Sequence, residues 1–192
     1  MTTYRLLNNI FEYHEPIIEF KQFRRQFDGV KVWFNQNNES LTDKLKGDWV
    51  PIEIQFSSDR KNNKIPDISV WNLSCLVLSD EAKKVLEPEL KHIGEFLPLK
   101  DGFYIYNCLN SVGGDVIDQV NSSFDINDSD SVHIPKKLHF LDEKVLDKFL
   151  FKPAFAHNGF LVCLNGFKEI VESNNLSGIL FESDLAQIFP KK

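Results

Sequence analysis

An α+β fold is what this sequence predicts: one domain built on a mixed, largely antiparallel sheet with about three helices. Three observations carry that prediction. Strand-like runs, alternating or continuously apolar, recur along the whole chain; a few amphipathic stretches carry helix caps; and the two kinds of element mix irregularly instead of alternating as in a doubly wound sheet. The 192 residues are 42% hydrophobic and 26% charged, enough to bury a core and far from the composition of a disordered or collagen-like chain. Seventeen Phe against one Met give that core rigid rings, with some to spare for an interface.

Pro16 suits the first turn of a helix, Phe20, Phe23 and Phe27 follow at helical spacing, and Gly29 stops the run, which predicts a helix over residues 16–28. Val50, Ile52, Ile54 and Phe56 alternate with Pro51, Glu53 and Gln55, the pattern of a strand with one buried face, and Pro51 puts it at a sheet edge or a strand start. The polar run 57–64 reads as a surface loop and as the boundary between an N-terminal lobe, residues 1–64, and residues 65–192, the two packed as one domain. Ser79 is placed to cap a helix over about 80–93, with Asp80 and Glu81 at the positive end of its dipole; Pro88 kinks or restarts that helix and Gly94 ends it.

FYIYNCL, residues 103–109, is aromatic and almost continuously apolar, which predicts a central strand covered on both faces. Gly113 and Gly114 then turn the chain into a short strand-like VIDQV, residues 116–120, and SSFDINDSDS, residues 122–131, reads as an acidic loop. LHFL (138–141), KFLFKPAF (148–155) and GFLVCL (159–164) read as strands. The last leads into a helix over 166–173, closed by Asn174 and Asn175 in the left-handed conformation, and GILFE, residues 178–182, returns as a strand. One sheet is expected to hold 50–56, 103–109, 160–164 and 178–182.

Lys and Arg number 22 against 28 Asp and Glu, a net charge of -6, so the average surface favours a cationic partner and disfavours nucleic acid. Arg at positions 5, 24, 25 and 60 alone offers little for bidentate phosphate contacts. Cys75, Cys108 and Cys163 stand far apart among apolar neighbours, as buried thiols of a reducing compartment do. The chain shows no secretory leader pattern and no apolar run of membrane length, so a cytoplasmic protein without membrane contact is expected.

The five histidines, at 14, 92, 133, 139 and 157, make no HExxH and no finger spacing, and the acidic loop lacks the glycine of a calcium loop; no metal and no cofactor are expected. A GxSxG elbow, a Walker loop and a dinucleotide fingerprint are absent, and the lone SxxK at Ser58 and Lys61 lies in a polar loop without its companion motifs. Carboxylates converging from separate strands keep a hydrolase in view, and a deep apolar pocket would favour a regulatory ligand-binding module.

From Ile65 to about Ile188 a series of pieces follows in order: PDI at Pro66 to Ile68, LVLSDEAKKVLEPEL at Leu76 to Leu90, GEFLPL at Gly94 to Leu99 and VIDQVNSSF at Val116 to Phe124. A Phe-rich strand at Phe149 to Phe155, GFLVCLNGFKEIVES at Gly159 to Ser173 and LSGILFE at Leu176 to Glu182 complete it. In this order the stretch resembles a family of bacterial polymorphic-toxin immunity proteins, formerly a domain of unknown function, over about two-thirds of the chain; residues 1–64 show no such likeness.

The resemblance implies a protein that neutralises a toxin and brings no catalytic residues with it. The expectation is therefore a non-enzymatic immunity protein that binds a cognate, basic toxin domain acting in the cytosol and occludes its active site or substrate path. Asp115, Asp118, Asp125, Asp128 and Asp130, five carboxylates within sixteen residues and without Lys or Arg among them, are the candidate toxin-binding residues.

Overall fold

The computed structural model describes residues 2–19, 21–22, 49–58, 64–72, 74–126, 133–156 and 159–191. Strand β1 (Thr3–Asn8) lies inside a five-stranded sheet, between the edge strand β13 (Ile179–Glu182) and the central β12 (Val162–Leu164). Beyond β12 come β11 (Leu150–Pro153) and β8 (Ser111–Val112), the last pair parallel and the others antiparallel. A second, wholly antiparallel sheet has the order β4 (Ile68–Trp71), β5 (Cys75–Ser79), β7 (Phe103–Cys108), β6 (Gly94–Pro98). Two small pairs, β2 (Pro16–Ile17) with β3 (Gln55–Phe56) and β9 (Ser123–Ile126) with β10 (His133–Lys137), flank them. Helices α1 (Asp80–Leu90), α2 (Asp142–Val145) and α3 (Asn165–Ser173) complete an α+β fold.

Both large sheets are covered on both faces. Between them lies a cluster of Leu6, Leu76, Leu78, Tyr106, Leu150 and Cys163, closed by Leu86 of α1 and Phe167 of α3. The outer face of the four-stranded sheet carries Val77, Leu97 and Ile105 under Ile18, Ile52 and Ile54. The outer face of the five-stranded sheet carries Phe151, Val162 and Leu164 under Val116, Phe140, Phe160 and Leu185. Successive residues of β7 point to opposite clusters, and Ile105 and Tyr106 are both 0% exposed, so the continuous apolar run at 103–108 is a strand buried on both faces, as expected.

A polar bridge ties the sheets together: the buried Lys152 Nζ of β11 donates to Asn107 Oδ1 of β7 at 3.1 Å, and Asn107 Nδ2 donates to Glu95 Oε1 of β6 at 3.0 Å. No helix among the described residues is long and apolar enough to cross a membrane.

Several local expectations hold. The Ser79 hydroxyl accepts from the Ala82 amide at 3.1 Å and caps α1, which runs on through Pro88. Helix α3 ends at Ser173, and of the two Asn that follow only Asn175 takes the left-handed conformation (φ 53), Asn174 having φ -98.

Others are corrected. Pro16 does not open a helix: with Ile17 it forms β2, because Phe56 and Gln55 supply backbone partners that the helical period could not reveal; further along the expected helix Lys21 and Gln22 are helical, and residues 20 and 23–28 lie outside the described residues. Of 50–56 only Gln55–Phe56 is a strand, Ile52 making a lone parallel bridge to Leu99. The four strands expected in one sheet are divided among three: those at 160–164 and 178–182 share the five-stranded sheet, that at 103–109 lies in the four-stranded one, and Gln55–Phe56 belongs to a small pair. Helix α1 stops at Leu90, and Gly94 instead opens β6, where a Cβ would meet the Tyr106 hydroxyl; that hydroxyl donates to the Leu90 carbonyl at 3.0 Å. Residues 116–120 hold the end of a 3-10 turn, a lone antiparallel bridge from Ile117 to Phe140 and a turn at 119–120 in place of a strand, and part of the acidic segment, Ser123–Ile126, is strand β9.

Candidate functional site

The acidic segment is built on short-range hydrogen bonds. The Leu141 amide donates to the Val116 carbonyl (2.8 Å), the Asp118 amide to the His139 carbonyl (2.9 Å) and the His139 amide to Ser122 Oγ (2.9 Å), which fixes residues 116–122 against 139–141. Asp118 then turns the chain: its Oδ1 accepts from the amides of Val120 (3.0 Å) and Asn121 (3.1 Å), and its Oδ2 from Asn121 Nδ2 (2.7 Å). The Asn121 donors, with the Val120 amide, hold this carboxyl below the usual range. The turn lifts Val120 into solvent, 92% exposed.

The predicted site residues thus divide. Asp115 and Asp118 share one segment, and Asp125 follows on β9, in register with Ile134 of β10. Asp128 and Asp130 lie outside the described residues. Asp118 is a positioning residue, its oxygens occupied by the turn, whereas the Asp115 side chain is 72% exposed and 3.8 Å from Lys144 Nζ. The fold also brings exposed Lys136 and Lys137 of β10 beside the acidic run, Lys137 opposite Ser123 and Lys136 at the irregularity next to the Pro135–Phe124 pair. The local field is therefore less negative than the sequence spacing implied.

Sequence reasoning missed a second surface, a groove of about 490 Å³ where β1 and the end of β4 meet the segment after β13. Arg5 and Leu7 line it from β1 and Trp71 from β4, while Ile188 and Phe189, 57% and 70% exposed, form its outer rim. Arg5 is 6% exposed; its Nη1 donates to the Leu185 carbonyl at 3.0 Å, and its guanidinium carbon lies 4.3 Å from the centre of the Phe160 ring. Burial lowers its pKa to about 10, against an opposing pull from Asp184. The sequence signal was faint: one cation in an apolar strand, TYRLLN.

Three of the pieces that carried the family resemblance, those with Asp67, Ser79 and Ser177, meet at one junction. Asp67 Oδ2 accepts from the Ser177 amide (3.0 Å) and hydroxyl (2.6 Å), and Ser79 Oγ lies 3.3 Å from Asp67 Oδ1. Gly178 (φ 111) packs so closely on the Ile68 carbonyl and Pro66 that a Cβ would not fit. These residues hold α1, β4 and β13 together; their part is architectural. Among the described residues no three His, Cys, Asp or Glu side chains are grouped to hold a metal ion.

The chain has no match among curated proteins. A family model does match, over residues 9–184, well before the point at which the resemblance in the sequence begins. With nearly the whole chain so covered, this protein belongs to the Immunity protein family (Imm11).

Proposed function

We propose that this protein is a stoichiometric inhibitor: it binds a cognate toxin domain of a polymorphic toxin system in the cytoplasm and blocks its active site or substrate path, without turnover of its own. The observation that carries the reading is membership of an immunity family over residues 9–184. Neutralisation by binding asks for affinity and fast capture, not for a catalytic constellation. A net charge of -6 suits capture of a basic toxin, and exposed apolar side chains such as Val120, Leu146 and Phe189 offer anchors that a partner would bury. The acidic segment with Asp115 and Asp125 is the proposed capture surface.

The test is to titrate the purified protein into the toxin domain encoded beside it while cells expressing that toxin are scored for survival. Binding in the nanomolar range or tighter, with one-to-one loss of toxicity, is the expected outcome. Hydrolysis of an ester, phosphate or glycoside panel by the protein alone, abolished by changing one carboxylate, would replace this reading with an enzymatic one.

A further inference from the structure

Among the described residues, no ion pair reaches the charge that the groove over Arg5 holds. Its Nη1 has a backbone acceptor, the Leu185 carbonyl, while its buried Nε has no acceptor among those residues. Two carboxylates stand near it in the chain trace and both serve the turn after β13: Glu182, opposite Arg5 in the strand register, accepts from the Asp184 amide through Oε1 (2.9 Å), and Asp184 Oδ1 accepts from the Ala186 amide (3.1 Å). Asp184 acts on the guanidinium at longer range. Taking a cation out of water without a close counter-charge is costly, and a structure that tolerates it gains most from a partner that supplies the anion.

The surroundings narrow what that anion is attached to. The volume of about 490 Å³ lies within the ordinary span of ligand clefts, and the rim is apolar, with Ile188 and Phe189 exposed beside the cation. Glu15 also lines the groove, so a run of several acids would meet repulsion there, whereas one carboxylate among apolar side chains gains the Arg5 charge and covers the rim.

We propose that this groove seats a segment of the toxin domain in which a single Asp or Glu is flanked by apolar residues, the carboxylate directed at Arg5 and its neighbours packed on Ile188 and Phe189. The inference rests on the reading of the protein as a toxin-binding inhibitor. It gives the complex an apolar, charge-specific anchor apart from the acidic segment that favours capture.

Phe189 is exposed, so it can be changed without disturbing the core. Phe189→Glu puts a carboxylate where it competes for Arg5 and repels the incoming acid; Phe189→Lys removes the same ring with the opposite charge. By calorimetry on the toxin domain, Phe189→Glu is expected to weaken binding about tenfold or more, and Phe189→Lys several-fold less than that, with both variants melting as the parent does. Two variants that bind like the parent would remove the groove from the interface; equal losses would make it an apolar contact without carboxylate preference and overturn the proposal in that form. Should the parent protein bind no toxin domain, the inhibitor reading fails, and the groove is tested directly with the blocked tripeptides acetyl-Leu-Glu-Phe-amide and acetyl-Leu-Gln-Phe-amide. A shift of the Arg5 Nε–H resonance with the Glu peptide alone supports the site, and an equal response or none rejects it.

Discussion

Asp67 does at one position what several residues do elsewhere in the fold. One of its oxygens accepts two donors from Ser177, and the other faces the hydroxyl of Ser79, which itself caps α1 through the Ala82 amide. A single carboxylate thus links a helix start to the turn before β13, a contact across 110 positions that no local pattern announces. The cysteines are the opposite case: their apolar neighbours in sequence announced burial, and all three thiols are buried and unpaired. Burial pushes each thiol pKa up from 9.0, for Cys108 to about 11, with Lys152 pulling Cys75 and Cys108 the other way. A thiol-exchange reagent at pH 8 is therefore expected to modify none of them in the native protein and all three in denaturant; rapid labelling of the folded protein would contradict this burial. The linkage has a sign. Between about pH 9 and 11 the unfolded chain loses the Cys108 proton while the folded protein keeps it, so this contribution to stability is present below 9 and falls away as pH rises through 11. A melting temperature that falls across that window, and falls less in Cys108→Ala, is the outcome to look for.

Elements were legible where their cause is local. A hydroxyl cap followed by two acids announces α1, and continuous apolar character announces β7, because capping and burial are written within a few residues. Elements that owe their form to a distant partner were not legible. Pro16 suits a helix start, yet with Ile17 it pairs with Phe56 and Gln55; VIDQV has strand composition, yet it makes only the single bridge from Ile117 to Phe140 before Asp118 turns the chain. The turn before β13 shows how tightly such long-range contacts constrain the chain. Gly178 combines φ 111 with close approach to Ile68 and Pro66, whereas Gly102 has φ 77 and open space around it. Gly178→Ala is expected to lower the free energy of unfolding in urea by about 1–3 kcal/mol or more, and Gly102→Ala by about 1 kcal/mol. Equal losses at the two sites would show that backbone strain alone, and not the contact with β4, sets the cost.

For the whole molecule, the order of the strands decides what the charges do. The first strand lies between β12 and β13, and Lys152 reaches from one sheet to Asn107 in the other, so the chain closes on itself from both ends and its acidic segment is carried on the outside of the five-stranded sheet. The sequence disclosed the acidic run but not Lys136, Lys137 and Lys144, which the fold sets beside it, and it gave no sign of the groove over Arg5, whose walls come from residues more than 150 positions apart. Those lysines make the steering argument quantitative. An isolated acidic loop in a chain of net charge -6 would attract a basic toxin over roughly a Debye length, about 8 Å at physiological salt, but adjacent cations shorten that reach and make a few uncompensated carboxylates decisive. Asp118 is spent on its turn and Asp115 shares Lys144, so the steering role is tested at the other three carboxylates of the run, Asp125, Asp128 and Asp130. Replacing those three by Asn is expected to slow association with the toxin domain by about tenfold at low ionic strength and to flatten its salt dependence, while dissociation changes by less than about twofold. Asp118→Asn, by contrast, alters the turn under Val120 and is expected to act mainly on dissociation, because it keeps most of the field but loosens the anchor. An association rate unchanged at low salt in the triple variant, with its melting temperature preserved, would take the acidic segment out of the encounter and leave capture to another part of the surface.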